Sequence, residues 1–177
     1  MDEHLCWDSH VNKLCKKISP VIGILYRLSG ILSTSYLRNI YYALIHSHLT
    51  FMLPIWGHSA NYIIHPVQML QNRAIKTLYR LNPYTPTSFI YNYANILPVK
   101  ELIKYLSCMY MFKIINNLSH SNMPIIFNAD IHRHFTRSSQ FLHEYTNLTT
   151  KYGTKGIRYA FIKNYNNLPS DLKKDKK

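Results

Sequence analysis

Residues 66–81 read PVQMLQNRAIKTLYRL. Val67, Leu70, Ala74, Ile75, Leu78 and Leu81 recur at three- and four-residue steps, the spacing that lines one face of an α-helix. Arg73, Lys76 and Arg80 stand at i, i+3 and i+7 on the opposite side, so they form one ridge of positive charge. Pro66 suits the first helical position, where its missing N–H has no intrahelical partner. Asn82-Pro83 closes the helix, because a residue before proline is pushed out of the helical region.

Shorter segments on either side carry the same period. Asp8 or Ser9 can cap a first helix in which Val11, Leu14, Cys15 and Ile18 share a face. Ser19-Pro20 reads either as a new cap with proline in the first turn or as a kink. Ile22, Leu25 and Leu28 carry the apolar face on to Gly30. Ser33 or Thr34 caps a second helix, with Leu37, Ile40, Tyr41, Leu44, Ile45 and His48 along one stripe. Pro54 makes Leu49–Gly57 read as extended. Thr85-Pro86 opens a short fourth helix through Phe89, Ile90, Tyr93 and Ala94. Pro98 opens a fifth, with Val99, Leu102, Ile103, Leu106, Met109, Tyr110 and Ile114 inward. Lys100 and Lys104 lie one turn apart on its outer side. Proline thus stands at a helix start up to four times (Pro20, Pro66, Pro86, Pro98), which favours several short helices over one rod. Past Asn117 the period fades, returning over Gly156–Asn166. The expected fold class is mainly α: a small bundle of about five helices with an irregular C-terminal tail. The closing Lys173-Lys174-Asp175-Lys176-Lys177 reads as a frayed end.

The 177 residues include 21 Lys and Arg against 8 Asp and Glu, for a net charge of +13. A hydrophobic fraction of 47% is too high for a disordered basic tail. Only 5 glycines disfavour a turn-rich β fold and glycine-rich phosphate loops. Ile, Asn, Lys and Tyr have A/T-rich codons, so base composition alone could enrich lysine. The distribution of charge is the better guide. Ser9–Ala129 holds eleven basic residues and one acid, Glu101, a net of +10. Such an unopposed positive field points to a polyanion as partner.

The chemistry of a catalyst is missing. His4, Cys6, His10 and Cys15 cluster, but H-x-C-x3-H-x4-C is no familiar zinc spacing and Cys15 falls on the first helix's core stripe, so no metal site is expected. His132-x-His134 lacks cysteine partners. The eight acids show no paired arrangement for proton transfer or metal binding. Cys108, between core residues of the fifth helix, reads as a structural thiol. No cofactor motif is present. Three cysteines without framework spacing suit a reducing compartment. Met1-Asp2-Glu3-His4 is unlike a secretion signal, and no run of apolar residues is long enough to span a bilayer. A nuclear or cytoplasmic protein with no membrane association is therefore expected. The ridge Arg73, Lys76 and Arg80, joined by Lys100 and Lys104, is the candidate nucleic-acid-binding set. It suits successive phosphates, although a solvated helix back gives the same pattern. Tyr79, Tyr84, Tyr91 and Tyr93 could stack on bases or edge the core.

The order of several short motifs carries a resemblance. Residues 2–11, from Asp2 through Leu5, Trp7 and His10 to Val11, are similar to "D-x-x-L-x-W-x-x-H-[IV]". Gly23-Ile24-Leu25, Tyr41-Tyr42, Leu44-Ile45-His46 and Pro54-Ile55-Trp56-Gly57 follow. Leu70-Gln71-Asn72-Arg73-Ala74-Ile75-Lys76 is similar to "L-Q-x-[KR]-A-[IL]-[KR]". Ile96-Leu97-Pro98 and Thr136-Arg137-Ser138 come next, and Gly156-Ile157-Arg158-Tyr159 and Tyr165-Asn166-Asn167-Leu168-Pro169 close the series. In this order they resemble the segment after the catalytic palm in reverse transcriptases of jockey-like non-long-terminal-repeat retrotransposons. The resemblance spans about Asp2 to Lys173. Tyr165 stands where the family usually has tryptophan, and Ala160-Phe161 where a Gly-Pro is common.

The resemblance implies a part of an RNA-directed DNA polymerase. Residues 1–118 would be a thumb-like helical domain and 119–177 a connection-like tail, partly irregular. The family's thumb grips primer–template, an RNA–DNA hybrid or duplex, by its backbone. Its catalytic aspartates lie in the palm, as an adjacent pair that clamps two Mg²⁺ ions, and this chain has no Asp-Asp pair. The implied partners are nucleic acid and the palm and fingers of the parent polymerase, with no enzymatic activity of the chain alone. A structural remnant without independent activity is the alternative.

Overall fold

The computed structural model describes residues 6–119, 125–131, 134, 136–137, 139, 141–143, 156–169 and 172. It is mainly helical, as the apolar periods require. The first helices are α1 (Asp8–Ser29), α2 (Thr34–Ile40), a π-helix (Tyr41–His46), α3 (Ser47–Thr50) and α4 (Leu53–Trp56). They are followed by α5 (Asn61–Leu78), α6 (Thr87–Ala94), α7 (Val99–Ile115), α8 (Asn128–Ile131) and α9 (Ile157–Asn166). The chain divides into two compact units, Met1–Leu102 and Ile103–Lys177. His4, His132, Ser138 and the terminal lysines lie outside the described residues.

In the first unit α1 packs along α5 and touches α2, the π-helix and α3, while α5 also packs on α2 and α6. Ile18, Leu25, Leu37, Ile45, Leu49, Leu53, Trp56, Val67 and Ile75 are fully buried between them. Each such side chain contributes about 1.5–3 kcal/mol by leaving water. Trp56 keeps its one polar atom satisfied by donating from Nε1 to the Phe51 carbonyl at 3.0 Å.

Two of the four prolines lie inside helices rather than at their starts. Pro20 is inside α1 and Pro66 inside α5. Ser19-Pro20 therefore does not open a new helix, and α5 begins five residues before Pro66, at Asn61. Buried Ile63 and Ile64 explain the earlier start, since their apolar area holds that turn in place. Pro86 and Pro98 do precede helix starts, and Leu102 N–H donates to the Pro98 carbonyl at 2.9 Å. Leu49–Gly57 is two short helices rather than extended chain. Met52 at φ 51° turns the backbone between them, and Pro54 sits in the first turn of α4, where no amide is needed.

The π-helix explains a second departure. Leu37, Tyr41, Ile45 and Leu49 are buried at strict four-residue steps. In an α-helix four residues overshoot a turn by about 40°, so such a stripe would wind off the core. The wider i→i+5 turn of Tyr41–His46 takes up that excess. Leu44, placed on the core stripe by an α-helical period, is instead 43% exposed, and His48 is exposed as well.

Gln71 is fully buried in α5 and all its polar capacity is used. Nε2 donates to the Tyr41 hydroxyl at 3.2 Å and to the Leu97 carbonyl at 2.9 Å. Oε1 accepts from Val99 N–H at 3.0 Å, from the Tyr91 hydroxyl at 2.9 Å and from Gln68 Nε2 at 3.3 Å. One side chain thus ties α5 to the π-helix, to α6 and to the start of α7.

In the second unit Met111, Ile114, Leu142, Phe161, Ile162 and Tyr165 form a small core. The inward face of α7 differs from the expected one. Ser107 and Met111 are buried, whereas Met109 and Tyr110 are 39% and 38% exposed. Ser107 tolerates burial because its hydroxyl donates to the Ile103 carbonyl at 2.7 Å. The expected return of helical period over Gly156–Asn166 is α9. Asn166 accepts from Leu142 N–H at 3.0 Å and donates to the Leu142 carbonyl at 2.9 Å, pairing with that residue as a neighbouring strand would. A single antiparallel bridge, Phe127 to Leu142, is formed among the described residues.

Candidate nucleic-acid interface

The outer edges of α1 and α5 leave a groove of about 780 Å³. Ile22, Gly23, Tyr26 and Ser29 of α1 form one wall. Met69, Asn72, Arg73, Lys76 and Thr77 of α5, with Arg80 just beyond it, form the other. Leu81, Pro83 and Thr87 close the end. Among the described residues, three cations line this groove and no carboxylate does.

Arg80 does not reach the groove as a helical residue. It lies past the end of α5 in the left-handed region, at φ 52°. Leu81 N–H donates back to the Lys76 carbonyl at 2.9 Å and Arg80 N–H to the Thr77 carbonyl at 3.2 Å, the paired closure of a Schellman motif. The sequence placed Arg80 on the helix because Leu78 and Leu81 continue the apolar period. The motif ends the helix at Leu78, three residues earlier, and swings Arg80 onto the same groove by another route. Its left-handed conformation costs a β-carbon-bearing residue about 1 kcal/mol relative to glycine.

The three cations differ in freedom. Arg73 and Arg80 are exposed, and their guanidinium groups bond to no described residue. Lys76 is half-buried and its Nζ donates to the Pro83 carbonyl, fixing the loop that follows α5. Asn72 is held from behind by Tyr91 and by Gln68 Nε2 at 3.1 Å. The expected five-residue set is not one cluster. Lys100 is exposed on α7 but does not line the groove, and Lys104 belongs to the second unit.

None of the four tyrosines interleaved with the ridge lines the groove. The Tyr91 hydroxyl sits in the Gln71 network, and burial pushes its ionisation far up. The Tyr79 hydroxyl accepts from Arg38 at 3.3 Å and donates to the Ala94 carbonyl at 3.4 Å. Tyr93 stacks on Phe89 with centroids 5.7 Å apart and planes 12° apart. Tyr84 is 93% exposed on the loop. The aromatic that does face the groove is Tyr26, together with Gly23 one turn before it. The sequence hid them, because nothing within α1 says which stretch of α5 lies opposite.

Among the described residues, three histidines are held below their ordinary value of 6.5. Burial lowers His46 and His58. His10 is lowered by burial first and then by nearby positive charge that includes Lys17 and Lys13. Its ring lies between Trp7 and Trp56, at 5.8 and 5.7 Å. Burial also raises the Cys15 thiol. Among the described residues no three His, Cys, Asp or Glu side chains gather as a metal site would require, and no helix is long and apolar enough to cross a membrane. The chain matches no protein-family model, no curated protein and no solved structure.

Proposed function

We propose that this chain is a non-catalytic helical module that grips nucleic acid by its phosphates. On this reading it is the thumb and connection of a jockey-like retrotransposon reverse transcriptase, and the palm and fingers of that polymerase are its natural neighbours. The carrying observation is the convergence of Arg73, Lys76 and Arg80 on one groove that no acid lines among the described residues. The net +10 of Ser9–Ala129 supports it by supplying a long-range field of the same sign. Motif residues of the resemblance also hold the fold: Trp56 and Gln71 in the first unit, Asn166 in the second.

The test is a salt titration of binding to an RNA–DNA hybrid. On a duplex, log K falls by about 0.9 per log unit of salt for each phosphate neutralised. Replacing Arg73, Lys76 and Arg80 together by Ala should flatten the slope and weaken binding to all sequences alike, because phosphate contacts carry no base information. Affinity that ignores salt, or a triple variant that binds like the parent chain, would sink the proposal. The Lys76–Pro83 hydrogen bond favours the second reading, in which the ridge is structural and the chain a remnant without activity of its own. Lys76→Ala would then lower stability and leave binding untouched.

A further inference from the structure

We infer that the α1–α5 groove takes an unstacked nucleotide of a single strand, with its base against Tyr26 and its flanking phosphates on Arg73 and Arg80. This rests on the nucleic-acid reading above and names the form of nucleic acid it prefers.

Three observations carry it. Tyr26 is 73% exposed yet lines the groove, so its ring is a free face set opposite the cations. A base stacked on an exposed aromatic gains about 1–3 kcal/mol, and every base offers such a face. Gly23 sits inside α1, where glycine costs about 0.5–1 kcal/mol relative to alanine. A β-carbon there would meet nothing within 4 Å, so packing does not require the glycine. What the glycine leaves is room beside Tyr26 on the same face, three residues apart. The third observation is size. A groove of about 780 Å³ falls within the range that holds a small-molecule-sized body, about 300–1,000 Å³. That suits a nucleotide, whereas a duplex keeps its base faces stacked on one another and leaves none free to lie on Tyr26.

The charge excludes a merely apolar occupant. With three cations and no acid in the lining among the described residues, and Tyr26 across from them, a guest with an anionic edge and a flat apolar face fits the groove. A nucleotide within a strand has both edges.

The experiment compares binding of an oligothymidylate single strand and a mixed-sequence duplex by fluorescence anisotropy at one salt concentration. The variants are Tyr26→Ala, Tyr26→Phe and Gly23→Leu, with circular dichroism melting as a check on folding. Gly23→Leu adds a strong helix former where space is open, so the fold is kept while the groove is filled. Tyr26→Ala and Gly23→Leu should each weaken the single strand by about tenfold or more. Both should leave the duplex unchanged, and Tyr26→Phe should bind as the parent does. Single-strand affinity that survives both variants overturns the inference, as does an equal loss on both ligands. Polyglutamate that competes as well as the strand and ignores Tyr26→Ala overturns it too. The broader reading fails separately, through Arg73→Ala and Arg80→Ala having no effect on either nucleic acid.

Discussion

The Gln71 amide donates to the Tyr41 hydroxyl at 3.2 Å inside a fully buried site, joining α5 to the π-helix. Gln71→Leu keeps the volume and removes the amide that all these partners share. The Val99 N–H, the Leu97 carbonyl and the Tyr41 and Tyr91 hydroxyls then lose their shared partner. Each buried group left unsatisfied costs about 1–3 kcal/mol. Urea unfolding should show a loss of more than about 3 kcal/mol, placing this change among the most damaging single substitutions. A loss below about 1 kcal/mol would mean that the network does not hold the bundle together.

Burial is the main cause that pushes Tyr41 up to about 12 from its usual 10.0, and Gln71 opposes it only in part. Below the unfolded value both states are neutral and the contribution is complete. As pH rises from 10 towards 12 the unfolded chain ionises while the folded one cannot, so stability falls by on the order of 2 kcal/mol. Tyr91 and Tyr165 are shifted in the same direction and add to the loss. Unfolding free energies measured across that alkaline window check it, and a flat profile refutes it.

The histidines act at the other end. His10, His46 and His58 are lowered from 6.5, so each favours the folded state while neutral. Their contribution is present above that pH and is lost as pH falls through the folded values. Melting temperature should therefore drop on acidification from neutral pH, and His46→Phe should reduce the slope.

Arg80→Gly separates binding from folding. Glycine accepts φ 52° without strain, so the variant should gain about 0.5–1 kcal/mol of stability. It also removes a groove cation, so affinity for nucleic acid should fall and the salt slope should flatten by about one phosphate. A variant that is both more stable and equally tight would remove Arg80 from the interface.

Much of the bundle was legible because apolar period alone fixes a helix when one face is buried. The helices opening after Pro86 and Pro98, and the late helix ending at Asn166, all follow from it. What was hidden depended on neighbours. Gln71 looks like a surface residue until Tyr41, Leu97 and Val99 surround it. Met109 and Met111 are interchangeable in the uncharged stretch Tyr105–Phe112 of α7, so only packing chooses between them. The cations of the interface were visible as a ridge, whereas Gly23 and Tyr26 became part of a site only when α1 was laid along α5.

Pro20 and Pro66 have a consequence for how the molecule opens. Each removes one rung from its helix's hydrogen-bond ladder, at the carbonyls of Lys16 and Tyr62. Every groove residue on α1 and α5 lies C-terminal to its proline. The turns before the prolines can therefore exchange their amide protons through local openings that leave the groove walls closed. In native-state hydrogen exchange, amides of residues 22–29 and 69–78 should form one slowly exchanging block. The stretches before Pro20 and Pro66 should exchange separately, so the binding surface is insulated from fraying at the helix starts.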